Sequence, residues 1–173
     1  MYYYTKIDSP VGWLTLCTDG EFLKGLWPES DKHIGDVIDV SSLDDMTRRD
    51  DLNIFSQTEQ WIDEYFAGKM PDVKRLPLSP NGSPFRQEVW KLLLQIPYGE
   101  TTTYGRIADD LAAMTGKGSS ARAVGGAIGH NPISIIIPCH RVIGANGSLT
   151  GFASGLGTKR FLLEHEGAIT ARA

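Results

Sequence analysis

Ile133-Ser134-Ile135-Ile136-Ile137-Pro138-Cys139-His140-Arg141-Val142 is the stretch on which the reading of this chain turns. Residues 133–137 form a short apolar run of the kind that fills a buried strand. Proline has no N–H for a strand ladder, so Pro138 ends that strand and forces a turn. The turn presents Cys139 with His140 beside it. A thiol is a soft nucleophile only as thiolate, and a neighbouring base or positive charge populates that form. A bare cysteine is more often a buried core residue; the Pro-Cys-His context favours the nucleophile. Adjacent side chains in an extended segment point to opposite faces, so direct contact between Cys139 and His140 is not expected. The other cysteine, Cys17, has flanks with no comparable chemistry.

Upstream of this turn the chain reads as helical. Ser83-Pro84 is an N-cap and first-turn pair, followed by Phe85, Val89, Leu92, Leu93 and Ile96 at helical spacing. Thr103 caps a second helix carrying Ile107, Ala108, Leu111 and Ala112. After Gly116-Lys117-Gly118, Ser119 or Ser120 caps a third, Ala121 to about Ile128. Two short helices joined by a glycine-containing turn are consistent with helix-turn-helix. A last helix is expected over about 159–165. The N-terminal part reads as a small sheet: 2–7, 11–17 and 22–27 are aromatic and apolar, and Asp19-Gly20 is a hairpin signal. Residues 28–51 are acidic and without period, and read as a loop, alone or with a short helix. Asn53 is expected to cap a helix to about Ala67, with Gly68 ending it. Pro71, Pro77, Pro80 and Pro84 then punctuate a linker. The fold class is therefore α+β, with an N-terminal domain over 1–79 and a C-terminal domain over 80–173.

The chain has 173 residues, 41% hydrophobic and 22% charged, as in an ordinary soluble globular protein. No apolar run approaches the roughly 20 residues of a membrane span, so no membrane partner is expected. No signal peptide is visible, two cysteines make no disulfide framework, and a free nucleophilic thiol needs a reducing compartment; a cytoplasmic location is expected. Net charge is −4, but its distribution is uneven. Residues 1–80 carry 8 Lys+Arg and 15 Asp+Glu, whereas residues 81–173 carry 9 and 6. The basic half suits a polyanion, although chance scatter of surface charge would give the same numbers.

The motif Pro138-Cys139-His140-Arg141-Val142 resembles the active site of the O6-alkylguanine-DNA alkyltransferases. Other ordered motifs extend the likeness over about 80–168: Pro97-Tyr98-Gly99-Glu100, Thr103-Tyr104-Gly105, Ala121-Arg122-Ala123-Val124-Gly125, Asn131-Pro132, Gly151-Phe152-Ala153-Ser154-Gly155 and His165-Glu166-Gly167. The resemblance implies a ribonuclease H-like N-terminal domain. It also implies direct repair of O6-alkylguanine in double-stranded DNA, with O4-alkylthymine as a further candidate. Cys139 would be the alkyl acceptor, His140 its base through a bridging water, and Glu166 the carboxylate that orients the histidine. Tyr104 would donate to the flipped base, and Asn131 would support the turn. Thr103, Ala121, Arg122, Ala123 and Gly125 would form the DNA contact. Phe152, Ala153, Ser154, Lys159 and Arg141 would line the pocket. Phe152 stands where many relatives carry tyrosine, and Ser154-Gly155 replaces a glycine pair.

The adjacent glycines Gly125-Gly126 want an explanation, because Gly in a helix interior costs about 1 kcal/mol relative to Ala. Tight packing against another helix is one. The resemblance implies the other: close approach to the DNA minor groove, with Arg122 entering the stack vacated by the extruded base. Pattern alone would choose the major groove. The thioether formed at Cys139 has no easy reverse route, so the protein would act once. A monomer and no cofactor are expected. No metal site is expected, since no Cys-x-x-Cys or His-Glu-x-x-His exists and Cys17 with His33 is a poor set. Gly116-Lys117-Gly118-Ser119 is a broken phosphate loop. Two other readings remain: a damage-binding protein without transfer, and a cysteine hydrolase, which would need an oxyanion hole and turnover.

Overall fold

The computed structural model describes residues 1–31, 45–149, 152 and 155–170. By internal contacts the chain divides into two units: residues 1–81 with 132–136, and residues 82–131 with 137–173.

In the first unit, β1 (Tyr3–Ile7), β2 (Leu14–Thr18), β3 (Leu23–Pro28) and β4 (Thr47–Arg48) form one sheet in the order β3-β2-β1-β4. β1 and β2 are antiparallel, with Tyr3 opposite Thr18 and Ile7 opposite Leu14. The Asp19-Gly20 hairpin connects β2 to β3. The Asp19 carboxylate accepts from the N–H groups of Glu21 and Phe22, and Gly20 takes φ +105°, which favours glycine. All five residues of β2 are buried, including Cys17, which packs with Trp27 and Met46. β4 pairs parallel to β1, Tyr3 opposite Thr47, inside the stretch expected to be loop. Helix α1 (Asn53–Phe66) buries Ile54, Phe55, Trp61, Ile62 and Tyr65. Asn53 is its first residue, not its cap; Leu52 occupies the cap position without a side-chain bond.

The expected strand over 133–137 is not a strand. Ile133 makes one isolated bridge to Leu26, the Leu26 N–H donating to the Pro132 carbonyl and the Ser134 N–H to the Leu26 carbonyl. The Ile136 N–H then donates to the Ser134 carbonyl at 2.8 Å across Ile135, whose φ is +71°. This is a three-residue turn of the rare positive-φ kind, strained for a β-branched residue. Burial, which the sequence did signal, is complete: Ile133, Ile135 and Ile136 are all 1% exposed or less.

In the second unit, α2 (Pro84–Leu93), α3 (Tyr104–Thr115) and α4 (Ala121–Gly129) pack on one another. Their starts follow the capping rules. The hydroxyls of Ser83, Thr103 and Ser120 accept from the N–H groups of Arg86, Arg106 and Ala123. α3 ends at Gly116 in the left-handed conformation, and the short turn to α4 completes a helix-turn-helix. The Trp90 indole N–H donates to the Ala127 carbonyl at 2.9 Å, fixing α4 to α2. β5 (Thr102–Thr103) and β6 (Val142–Ile143) pair in parallel. Helix α5 (Leu156–His165) begins three residues before the expected start. Among the described residues, no helix is long and apolar enough to cross a membrane.

Candidate active site

Residues Cys139–Arg141 form a single 3-10 turn, not the extended segment that the expected strand implied. Two bonds shape its entry. The Cys139 N–H donates to the Ile137 carbonyl at 2.8 Å across Pro138, at φ −81° and ψ 65°, an inverse γ-turn. The Asn131 amide donates to the same carbonyl at 2.8 Å. Asn131, at the end of α4, thus grips the backbone one turn before the thiol. The β5–β6 pairing sets Thr103 opposite Ile143 and so brings Tyr104, at the start of α3, to the residues that follow the turn.

Cys139 is 4% exposed and His140 is fully buried. The His140 Nε2 lies 2.7 Å from Glu166 Oε2, at the C-terminal cap of α5. Burial raises the Glu166 carboxyl, but hydrogen bonds from His140 and Arg141 outweigh it and hold the group far below the usual carboxylate range. An ionised carboxylate only accepts, so Nε2 carries the proton and Nδ1 is the basic nitrogen. Nδ1 is buried and has no hydrogen-bond partner among the described residues. Burial pushes the His140 pKa below its ordinary value, against the opposing pull of Glu166, so the ring rests neutral.

Lys159 is 1% exposed, and its Nζ donates to the Val142 carbonyl at 2.5 Å. The ammonium lies 5.8 Å from the Tyr104 ring centre and 5.9 Å from that of Phe152. Burial lowers its pKa to about 8, partly offset by the charge of Cys139. Burial, reinforced by Cys139, raises the Tyr104 hydroxyl, which therefore stays protonated as a donor. Cys17 contrasts with Cys139: burial in the sheet, with Asp19 nearby, pushes its thiol up to about 12.

Arg141, expected with the pocket, carries its guanidinium on Glu166 instead: Nε donates to Oε1 at 2.8 Å and Nη2 to Oε2 at 3.1 Å. Nη1 donates to the Ile96 carbonyl at 2.7 Å. The Gly99 N–H adds a longer bond to Oε1 at 3.4 Å. Ile96, Tyr98 and Gly99 had no assigned role from sequence; the Pro97-Tyr98-Gly99 motif marked the place without saying what it held. Arg122, Ala121 and Ala123 are exposed on α4, Gly125 is half-buried with Tyr104 on its inner side, and Thr103 caps α3. Ala153, Ser154 and His33 lie outside the described residues. Among the described residues, no group of His, Cys, Asp and Glu could hold a metal ion.

This site sits within a chain that matches known proteins along almost its whole length. Residues 2–80 match the family model for the 6-O-methylguanine DNA methyltransferase ribonuclease-like domain, and residues 84–168 that for the DNA binding domain of the same enzyme. The methylated-DNA--protein-cysteine methyltransferase of Mycobacterium tuberculosis is 44% identical over 167 residues, covering 96% of this chain and 93% of the relative. That of Haemophilus influenzae is 40% identical over 164 residues, covering 95% and 86%. The crystal structure of Mycobacterium tuberculosis OGT in complex with DNA matches with a TM-score of 0.82 at 44% identity, covering 96% and 93%. The O6-methylguanine-DNA methyltransferase of Pyrococcus kodakaraensis matches at 0.66 and 28%, covering 96% and 99%. With both domains matched in order around a buried Cys-His-Glu site, the chain belongs to the 6-O-methylguanine DNA methyltransferase family.

Proposed function

We propose that the protein repairs O6-alkylguanine in DNA by moving the alkyl group irreversibly to Cys139. The observation that carries this reading is the buried Cys139–His140–Glu166 arrangement, in which Glu166 fixes the histidine tautomer and leaves Nδ1 as base. The thiol proton passes to Nδ1, directly or through one bridging water. The thiolate attacks the alkyl carbon, an S–C bond forms, and the C–O6 bond breaks with its electron pair moving onto the purine. The protonated Tyr104 hydroxyl is suited to donate to the leaving base. Nothing in this sequence regenerates the thiol from a thioether, so each molecule acts once.

The base must leave the duplex to reach a thiol that is 4% exposed. The α4 face that carries Ala121, Arg122, Ala123 and Gly126 is exposed. Among the described residues, a Cβ added at Gly126 would meet nothing within 4 Å, so no packing among them requires that glycine. A closely approaching outside surface does account for it. In this reading α4 enters the minor groove and Arg122 fills the gap left by the extruded base. The C-terminal domain, 80–173, performs binding and transfer, with 1–79 as a separate α/β domain; the protein works in the cytoplasm as a monomer, on O4-alkylthymine as a second substrate.

The test is mass spectrometry after mixing the protein with a duplex bearing one O6-methylguanine. Trypsin releases Ala123 to Arg141 as one peptide holding Cys139. The expected result is one added methyl there, saturating at one per protein and absent in Cys139→Ala. A duplex that stays bound with no methyl gained would replace this reading with damage binding without transfer; repeated turnover would replace it with hydrolysis.

A further inference from the structure

We propose that Arg141 is a positioning residue for the transfer: its guanidinium fork keeps Glu166 an anion turned to His140, so that His140 waits as a neutral base. This deepens the reading of Cys139 as alkyl acceptor and rests on it.

Glu166 is a carboxylate with a fully buried side chain, and such a group survives as an anion only where donors surround it. Donors that converge on it include His140 Nε2, Arg141 Nε and Nη2, and the Gly99 N–H. Two of these belong to Arg141, and they grip both oxygens as a fork. The guanidinium is itself held on two further sides. Nη1 bonds the Ile96 carbonyl, and the plane lies 5.7 Å from the Tyr98 ring centre. The Pro97–Glu100 turn that carries these contacts depends on Gly99. Its φ is +82°, and an added Cβ would stand 3.2 Å from the Glu166 carbonyl oxygen. The Pro-Tyr-Gly motif is thereby explained as the outer wall of the carboxylate cage.

The consequence for His140 follows from charge. A carboxylate facing a histidine alone draws a proton onto the pair, as imidazolium–carboxylate or as imidazole–carboxylic acid. Either form removes the base that the thiol needs. The permanent positive charge of Arg141 opposes that proton, and Lys159, from α5, acts in the same sense on the ring. Tyr98 also faces Glu166, but burial, then the carboxylate charge, push its hydroxyl upward, so it stays neutral. The charged groups acting on His140 are therefore Glu166, which favours its protonation, and Arg141 and Lys159, which resist it.

A purely structural pin would alter stability and leave proton uptake alone, so proton uptake is the quantity to measure. The free protein, labelled with 15N-histidine, is titrated by NMR without DNA, as wild type, Arg141→Gln and Arg141→Lys. In wild type the His140 ring is expected to keep the Nε2-protonated neutral form through the pH range where free histidine titrates. In Arg141→Gln the His140–Glu166 pair is expected to take up its proton about 1 to 3 pH units higher. In Arg141→Lys, which keeps charge but loses the fork, the midpoint is expected to rise by about half a unit or more. Cys139 alkylation by iodoacetamide should lose its acid-side rate over the same interval and recover toward wild type at alkaline pH; Cys17, fully buried, does not compete. A folded Arg141→Gln whose midpoint does not move overturns the proposal. If that variant does not fold, an unmoved midpoint in Arg141→Lys overturns it. A wild type that titrates as expected but gains no methyl from the duplex refutes the acceptor reading and leaves the Arg141 assignment supported.

Discussion

Gly126→Ala should make the free protein more stable and its DNA complex weaker, and the structure gives both magnitudes. Gly126 is the sixth of nine residues in α4, exposed, and not among the glycines with positive φ. Alanine fits its backbone, and among the described residues the new Cβ meets nothing within 4 Å. The substitution narrows the unfolded ensemble and removes the helix-interior penalty of glycine, a gain of about 1 kcal/mol. For a chain of this size that raises Tm by about 2 to 4 °C. With α4 against DNA as proposed, the same methyl group would intrude on the close approach. Overpacking of one methyl costs about 1 to 3 kcal/mol, or roughly a 5- to 150-fold rise in Kd. Thermal unfolding measures the first effect. Fluorescence anisotropy with a labelled O6-methylguanine duplex, in a Cys139→Ala background that prevents transfer, measures the second. A higher Tm with unchanged affinity would refute the assignment of this face to DNA. A lower Tm would refute the claim that no internal packing explains the glycine.

Arg122→Ala, at an exposed position in the first turn of α4, is expected to slow transfer from duplex DNA by about 10-fold or more while changing reaction with a free alkylated base by less than about 2-fold; equal losses on the two substrates, in a single-turnover assay, would remove its role in base extrusion. Burial pushes the Cys17 thiol from its ordinary value near 9.0 up to about 12, so the folded state holds the thiol proton that the unfolded state gives up. Its contribution is fully present below pH 9 and is lost as pH rises toward 12; the stability difference between wild type and Cys17→Ala, from urea unfolding, should fall by about 1.4 kcal/mol per pH unit in that window, and a pH-independent difference would show that the thiol is not sealed in the sheet.

What the sequence disclosed and what it hid divide along a physical line. Ser83, Thr103 and the Ser119-Ser120 pair were legible as caps because a cap is a bond to a residue two or three positions on, inside any reading window; the structure selects Ser120 of the pair. The Asp19-Gly20 hairpin was legible for the same reason. The run 133–137 advertised burial correctly, but burial does not specify ladder pairing; the positive φ of Ile135 is imposed by its surroundings, and a β-branched residue gives no local sign of it. β4 is two residues long and exists only because β1 offers it an edge, so no period could announce it. In the site, Cys139, His140 and Glu166 could be named from sequence, yet the partner of Arg141 could not. Its bonds reach 25 residues forward to Glu166 and 45 back to Ile96, and one of them is to a backbone carbonyl that has no sequence identity at all. A side chain adjacent to the proposed nucleophile is naturally read as touching the substrate. In this fold Arg141 closes the 3-10 turn that begins at Cys139, and its guanidinium bonds the Glu166 carboxylate, a pairing that depends on the path of the chain and that no single residue of the turn announces.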